Sequence, residues 1–575
     1  MLFDAVKIFE KVYKEHGDDL ITDSYIPADG EYIIVDPYQD DFTITNRIHI
    51  KLNKKTRTID FTIDDIEFIQ KADYLSRYLD SNKALSDKNI HSNNYLTFFV
   101  KKENLHNGKM TNEIIEKYYA TLKNPFIKYS KPKSKKLYLS IQEKIGQPDI
   151  EQIEKIEAWI KNNIFNLTDK DTKDKTYLKI FFKYDLLTYQ RESERYILAN
   201  IYNSTDYNEV IGERTYGLPN DNMGLNAKKP YLENKTRKIT VPYLLSVEEV
   251  LMQKKFFDFL ANLVAVSKTN IYVDEKGIKA YTNDEIPIED FCGYYLRVKK
   301  GKEIEIHDFD TIGLYKAIIK PLDLENVLCL EKSNLQYNRI HKLSTLKNII
   351  NEIFFSKFLT TNYFTDAKDI RINDNILKRN LLLSRTALFT WFYKGSNQNA
   401  WKILNNSSLE LIKGSIKNGY LLKASDQFNL RCALKKYFEG GDNMGDILID
   451  VKNKLRRKIN QNSTATIEND NEYNFAVGQL TSYFISLSRS KNKVHSLANP
   501  IINAKSDERI KEELKKLYKK YNYSINTSST RFKNLFAMVS SYEPEDKNNE
   551  DLIIAGYLHS NLIYEKSDKG EGENE

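Results

Sequence analysis

Only three cysteines occur in 575 residues, at Cys292, Cys329 and Cys432. An odd number so widely spaced supplies neither a disulfide framework nor a CxxC metal site. Long apolar runs are missing too: the best segments, FFDFLANLVAV and LLLSRTALFTWF, are short or carry Arg385. Neither approaches the roughly 18 residues that mark a membrane span. The opening MLFDAVKIFEKVYKEHGDD has Asp4 and Lys7 where a signal peptide needs its apolar block, and reads as an amphipathic helix. The eight histidines form no HExxH or HxH, and there is no GxxxxGK(S/T) loop and no GxSxG elbow. Gly217 and Gly224 do not make a dinucleotide fingerprint. No cofactor site can be named, and the expectation is a soluble, cytoplasmic protein with no membrane partner.

Apolar residues make up 41% of the chain and aromatics 12%, with 38 Tyr and 28 Phe, enough for several cores. That content excludes global disorder, and the length suggests about four domains at most. Basic residues number 87 against 80 acidic ones. So small a surplus says little in total, and its placement matters more.

Periodicity predicts an α+β chain in three parts. Residues 1–242 form a mixed α+β domain, with a helix from Leu2, a strand at EYIIVD and strands at YLTFFV and TYLKIFFKYD. ITNRIHIKL and TIDFTI, flanking NKKTR, read as a hairpin, and KYSKPKSKK (128–136) as an exposed basic loop. Residues 243–440 read as mostly helical, interrupted by the hairpin YYLRVKKGKEIEIHDFD. After FEGGDNMG, residues 441–566 read as a bundle of five helices near 446–459, 472–488, 506–523, 531–541 and 550–563. A polar tail, 567–575, follows.

His307, Asp308 and Asp310 in EIHDFD invite a rival reading, a metal-dependent nuclease with a diverged site. Strand alternation turns His307 and Asp308 to opposite faces, where they cannot share an ion, so no metal site is assigned. A scaffold without nucleic-acid contact is a third reading.

Binding signals are stronger. In IHSNNYLTFFVKKENL, Asn93 and Asn94 precede a strand and Lys101 and Lys102 follow it. Asn carries a donor and an acceptor suited to base edges, and Lys suits phosphates; the plain alternative is a polar loop before a core strand. YGLPNDNMGLNAKKPYLENKTRK (216–238) has Gly and Pro that forbid regular structure, with Asn220, Asn222, Asn226, Lys228, Lys229, Lys235 and Arg237 among them. Loops this long are uncommon and usually functional, although a solvated connector remains the alternative. The second hairpin carries Lys299, Lys300 and Lys302 at its tip. Between Ser486 and Lys533 there are 12 basic and 4 acidic residues. Arg489, Lys491 and Lys493 open this stretch. Within KSDERIKEELKKLYKKY, capped by Ser506, Lys511, Lys515 and Lys519 recur every four residues on another face from the buried stripe of Ile510, Leu514, Leu517 and Tyr521. A solvated face is the commonest meaning of such a run, but Glu512→Lys516 is its only clear i,i+4 pair, and unpaired lysines suit a phosphate backbone.

SYIPADGEYIIVD, IHSNNYLTFFVKKENL, YGLPNDNMGLNAKKPYLENKTRK and YNFAVGQLTSYFISLSRSKNKVHSLANPIINAK together resemble the Csh family, the large subunit of the subtype I-B CRISPR Cascade. The resemblance runs from residue 1 to about 566. It implies a non-catalytic subunit that reads the protospacer-adjacent motif on target duplex DNA, promotes its opening, holds the displaced single strand and helps recruit the helicase-nuclease. Partners would be the guide RNA, the Cascade backbone and handle-binding subunits, and a small subunit. On that reading Asn93, Asn94 and the 216–238 loop serve motif recognition or contact the guide's 5′ handle, and the hairpin tip is a candidate wedge. The 489–493 and 511–519 lysines and arginine follow the displaced strand.

Glu439-Gly440-Gly441-Asp442-Asn443 precedes Met444. Glu-Gly-Gly can be encoded as a near-ideal ribosome-binding site with Asp442 and Asn443 as spacer. The expectation is an internal start at Met444 that yields the bundle alone, Met444–Glu575, as the small subunit; the alternative is a glycine helix stop with an incidental Met.

Overall fold

A computed structural model describes residues 2–38, 42–53, 55–168, 173–212, 214–220, 243–301, 304–441, 443–462, 465–546 and 548–565. With 51% helix and 16% strand, the fold is mixed α+β. It comprises two compact units, residues 1–283 with 293–311, and residues 284–292 with 312–575. Neither the expected boundary at 242 nor that at 440 coincides with this division. The helix Val247–Ala265 explains the first difference: its Phe256 lies 5.4 Å from Phe9 of the N-terminal helix Leu2–His16, and Leu260 and Ile21 are buried in the same core.

The first unit is built on a sheet of β1 (Gly30–Asp36), β2 (Thr43–Ile50), β3 (Thr97–Lys101) and β4 (Tyr177–Phe182), in the order β2-β1-β4-β3. β1 and β4 are parallel and the other pairs antiparallel. Alternation along β4 sends Phe181 to one face, against Phe99 and Phe68, and Phe182 to the other, against Trp159. Lys179 shares the Phe181 face and is buried, its Nζ donating to Asp73 Oδ1 at 2.5 Å. The expected hairpin of 44–52 with 58–63 is reduced to a single antiparallel bridge at its turn, Asn53 to Thr58. β2 pairs instead with β1, Ile48 opposite Tyr32, while Asp60 folds its own segment into a turn by accepting from the Thr62 N–H and hydroxyl.

The 128–136 segment is also not a plain exposed loop. Pro132 opens a helix, Pro132–Ile145, as its fixed φ and missing N–H favour. Lys128 turns inward, its Nζ donating to the carbonyls of Lys83 and Ala84, each at 2.7 Å.

After β5 (Glu209–Ile211), β6 (Arg214–Gly217) and β7 (Leu245–Ser246) come β8 (Asn270–Asp274), β9 (Gly277–Tyr281), β10 (Phe291–Lys300) and β11 (Ile304–Tyr315). The last four form a sheet ordered β11-β10-β8-β9. β12 (Ile318–Asp323) pairs with β13 (Arg339–Lys342). The stretch 243–342 thus holds much more strand than expected, because runs of five residues are too short for periodicity to separate strand from helix.

In the second unit the helices Leu343–Ile353, Asn375–Lys394, Ala400–Lys417 and Leu421–Glu439 are interrupted at 354–374, where Ser356 and Lys357 take φ values of 50° and 68°. The bundle follows as Met444–Ile459, Asp470–Ser486, Asp507–Tyr521, Thr530–Ser541 and Glu550–Leu558, all five near their expected positions. Two of these helices meet backbone to backbone at paired glycines: a Cβ on Gly478 would lie 2.2 Å from the Ile553 carbonyl oxygen, and one on Gly556 would lie 2.1 Å from that of Phe475. The bundle core is continuous with Ile412, Ile416, Ala424 and Phe428 of the preceding helices.

Candidate nucleic-acid interface

Asn93 and Asn94 do not present their amides to a ligand. Each is 2% exposed. The Asn93 Nδ2 donates to the carbonyls of Leu75 (2.8 Å) and Arg77 (3.0 Å), tying the approach to β3 to the end of the Ile66–Ser76 helix. The Asn94 Nδ2 donates to Asn93 Oδ1 at 2.7 Å, and its Oδ1 accepts from the Leu96 N–H. Buried amides are retained where they satisfy backbone groups, and these do so. Lys102 is also engaged, with Nζ 3.2 Å from Glu31 and 3.4 Å from Asp174. Lys101 ends β3, half-buried.

Asn220 is buried, with Nδ2 donating to Asp80 Oδ2 at 2.9 Å. Asn222, Asn226, Lys228, Lys229, Lys235 and Arg237 lie outside the described residues, as does Lys302. Lys299 and Lys300 end β10 and are exposed.

His307 and Asp310 are exposed on β11 and Asp308 is half-buried beside them. The two carboxylates accept from neighbouring backbone, Asp308 from the Phe309 N–H and Asp310 from the Thr311 N–H, each at 2.9 Å. Among the described residues no three His, Cys, Asp or Glu side chains converge as metal ligands.

The lysine helix matches its expected pattern. Ser506 caps it, accepting from the Arg509 N–H, and Ile510, Leu514, Leu517 and Tyr521 are buried. Its charge is less free than expected. Lys511 pairs with Asp507 at 2.8 Å and donates to the Tyr542 carbonyl at 2.6 Å, so it is occupied. Arg509 pairs with Glu513 at 2.8 Å, and Lys516 takes Glu513 rather than Glu512. The missed signal was Asp507→Lys511, an acid-to-base i,i+4 pair in the favourable order. Lys515 and Lys519 are exposed and hold no ion pair among the described residues, and the same is true of Arg489, Lys491 and Lys493.

The 489–493 loop and the lysine helix converge. The chain leaves the Asp470–Ser486 helix through Leu487 and Ser488. The next residue, Arg489, places its guanidinium carbon 4.7 Å from the centre of the Tyr523 ring. The loop 489–493 and the C-terminal turns of the Asp507–Tyr521 helix therefore make one basic end of the bundle. Sequence reading overlooked two aromatics there: Tyr523 and Tyr564 are 53% and 56% exposed. Tyr523 follows the lysine run by three residues, in YKKYNYS, and Tyr564 sits in the separate segment NLIYEK, with no basic run beside it.

Comparison of the chain with protein-family models, curated proteins and solved structures gives no match. No described helix is long and apolar enough to cross a membrane.

Proposed function

We propose that this chain is the nucleic-acid-binding large subunit of a type I-B CRISPR surveillance complex, non-catalytic, with its C-terminal bundle holding the displaced strand. The observation that carries this reading is that the 489–493 loop, through Arg489 over Tyr523, meets the C-terminal end of the helix that bears Lys515 and Lys519. Exposed cations without carboxylate partners attract a polyanion and release its counterions. The four quoted motifs, in order along most of the chain, give the assignment its specific form. Motif recognition then falls to the loop holding Lys228 and Lys229, since Asn93 and Asn94 serve the fold. The guide RNA, target duplex, backbone and handle-binding subunits and helicase-nuclease are the partners this reading names, in the cytoplasm.

The same reading assigns Met444 as an internal start. The helix Met444–Ile459 begins there, its cap Asn443 accepting from the Gly445 N–H at 3.0 Å.

Salt titration of single-strand binding tests the proposal. The triple variant Lys491→Ala, Lys515→Ala, Lys519→Ala is expected to bind more weakly. Its log–log salt slope should flatten by up to about 0.7 for each phosphate that is no longer neutralised. An unchanged affinity and slope would reject the bundle assignment. Lys228→Ala with Lys229→Ala should weaken the assembled complex on duplex bearing the motif and reduce its motif dependence.

A further inference from the structure

We infer that the basic end of the bundle carries a stacking platform for unpaired nucleobases, formed by Tyr523, Arg489 and Tyr564. The inference rests on the nucleic-acid reading above and specifies which form of nucleic acid this surface takes: an unpaired strand, gripped by its bases as well as its phosphates.

One short piece of chain organises the three groups. Ser486, at the end of the Asp470–Ser486 helix, shares a hydrogen bond of 2.7 Å with the Tyr564 hydroxyl. Three residues on, Arg489 covers one face of Tyr523. Tyr564 leans on Tyr483, ring centres 5.5 Å apart, and Tyr523 has Tyr521 at 6.5 Å, so both exposed rings are braced by a more buried one. Arg489 is itself exposed. Its guanidinium thus presents a cationic plane already held over an aromatic ring, which forms a second layer behind any base that settles on it.

The surrounding charge suits the same ligand. Lys491 and Lys519 are exposed around this end of the bundle, and Lys493, also exposed, donates to the Ser486 carbonyl at 3.0 Å. Glu565, next to Tyr564 in the chain, is held by Arg456 through hydrogen bonds of 2.6 and 2.9 Å. Aromatic faces interleaved with unpaired cations are how proteins hold single strands without reading sequence. In a duplex the base faces are already stacked on one another, so this surface discriminates for an unpaired strand. Phosphate contacts alone would not.

The test compares two fluorescent 20-mers on the full chain, an oligothymidylate and an abasic phosphodiester of equal length and charge. Stacking contributes roughly 1–3 kcal/mol per base, so Tyr523→Leu with Tyr564→Leu is expected to weaken oligothymidylate binding at least about tenfold. The salt slope should stay as in the unmodified protein, and the abasic strand should bind both proteins equally. Arg489→Lys keeps the charge and removes the plane, and touches no packing in the core. It should weaken oligothymidylate by about threefold, again leaving the abasic strand unaffected. Oligothymidylate binding unchanged in both variants would overturn the platform while leaving the lysine surface intact. An unmodified protein that binds neither strand would overturn the nucleic-acid reading itself, and the platform with it.

Discussion

Arg431 and Asp551 form an ion pair inside the second unit, Nε to Oδ1 at 2.8 Å, with the two side chains 5% and 10% exposed. They join the Leu421–Glu439 helix to the first turn of Glu550–Leu558, so the bundle is fastened to the helices before it by charge as well as by apolar packing. Arg431 also donates to the Asn405 carbonyl and to Ser408 Oγ, and Lys435 adds a second cation 3.3 Å from Asp551.

Removing one partner of a buried pair leaves the other uncompensated. Arg431→Met is expected to destabilise the second unit by about 3 kcal/mol. Urea unfolding followed by the fluorescence of Trp391 and Trp401, both in this unit, would register it. Burial pushes the Asp551 carboxyl upward, but the Arg431 charge and hydrogen bonds, with Lys435, outweigh it and hold the pKa below the usual carboxylate value. A depressed carboxylate stabilises the fold above its unfolded pKa, near 4, and that stability is lost as pH falls through the folded value. In Arg431→Met the acid transition should move to higher pH.

Asn93→Ala removes two buried amide-to-carbonyl hydrogen bonds. A loss of about 2 kcal/mol from the first unit is expected, visible as a lower melting temperature. Oligonucleotide affinity of the folded protein should be unchanged. An affinity loss without a stability loss would restore Asn93 to the binding surface.

Silent recoding of Gly440 and Gly441 should abolish a short C-terminally tagged product beginning at Met444, while the full chain persists. That product lacks Arg431, Lys435 and Lys413, which hold Asp551 and Glu550, and the apolar residues Ile412, Ile416, Ala424 and Phe428. Purified alone, it should self-associate and melt below the full chain, measurable by sedimentation and thermal scans.

Burial and the nearby Lys83 charge bring Lys128 down to about 7, with Asp80 opposing only in part. A lysine at 7 when folded and near 10.5 when unfolded binds fewer protons in the native state across that interval, so stability rises with pH there. The first unit should gain about 1 kcal/mol between pH 6 and 8 from this group. Lys128→Met should flatten that part of the pH–melting curve.

The long amphipathic helices were legible from spacing, and the four buried positions of the lysine helix came out in register. Strand existence was legible and strand pairing was not. The alternation of Ile48 and Ile50 marks a buried face but cannot distinguish β1 from a nearer segment as partner. At the site, charge counts located the basic end of the bundle but not which of its cations are paired. Acids hold Lys511 and Lys102, one acid four residues away in the chain and the others brought in by the fold. Asn93 and Asn94 misled because an amide that reads a base and an amide that ties a backbone are the same residue, and only burial separates them. Tyr523 and Tyr564 stood out only once their neighbours were known to leave them uncovered.

The two compact units exchange the chain three times, at 283/284, 292/293 and 311/312. No single truncation therefore yields either one whole: a gene ending at 311 strands nine residues, 284–292, from their packing partners, and one beginning at 312 lacks them. Dissecting this molecule calls for grafting the short exchanged segments, or for circular permutation, rather than for cutting.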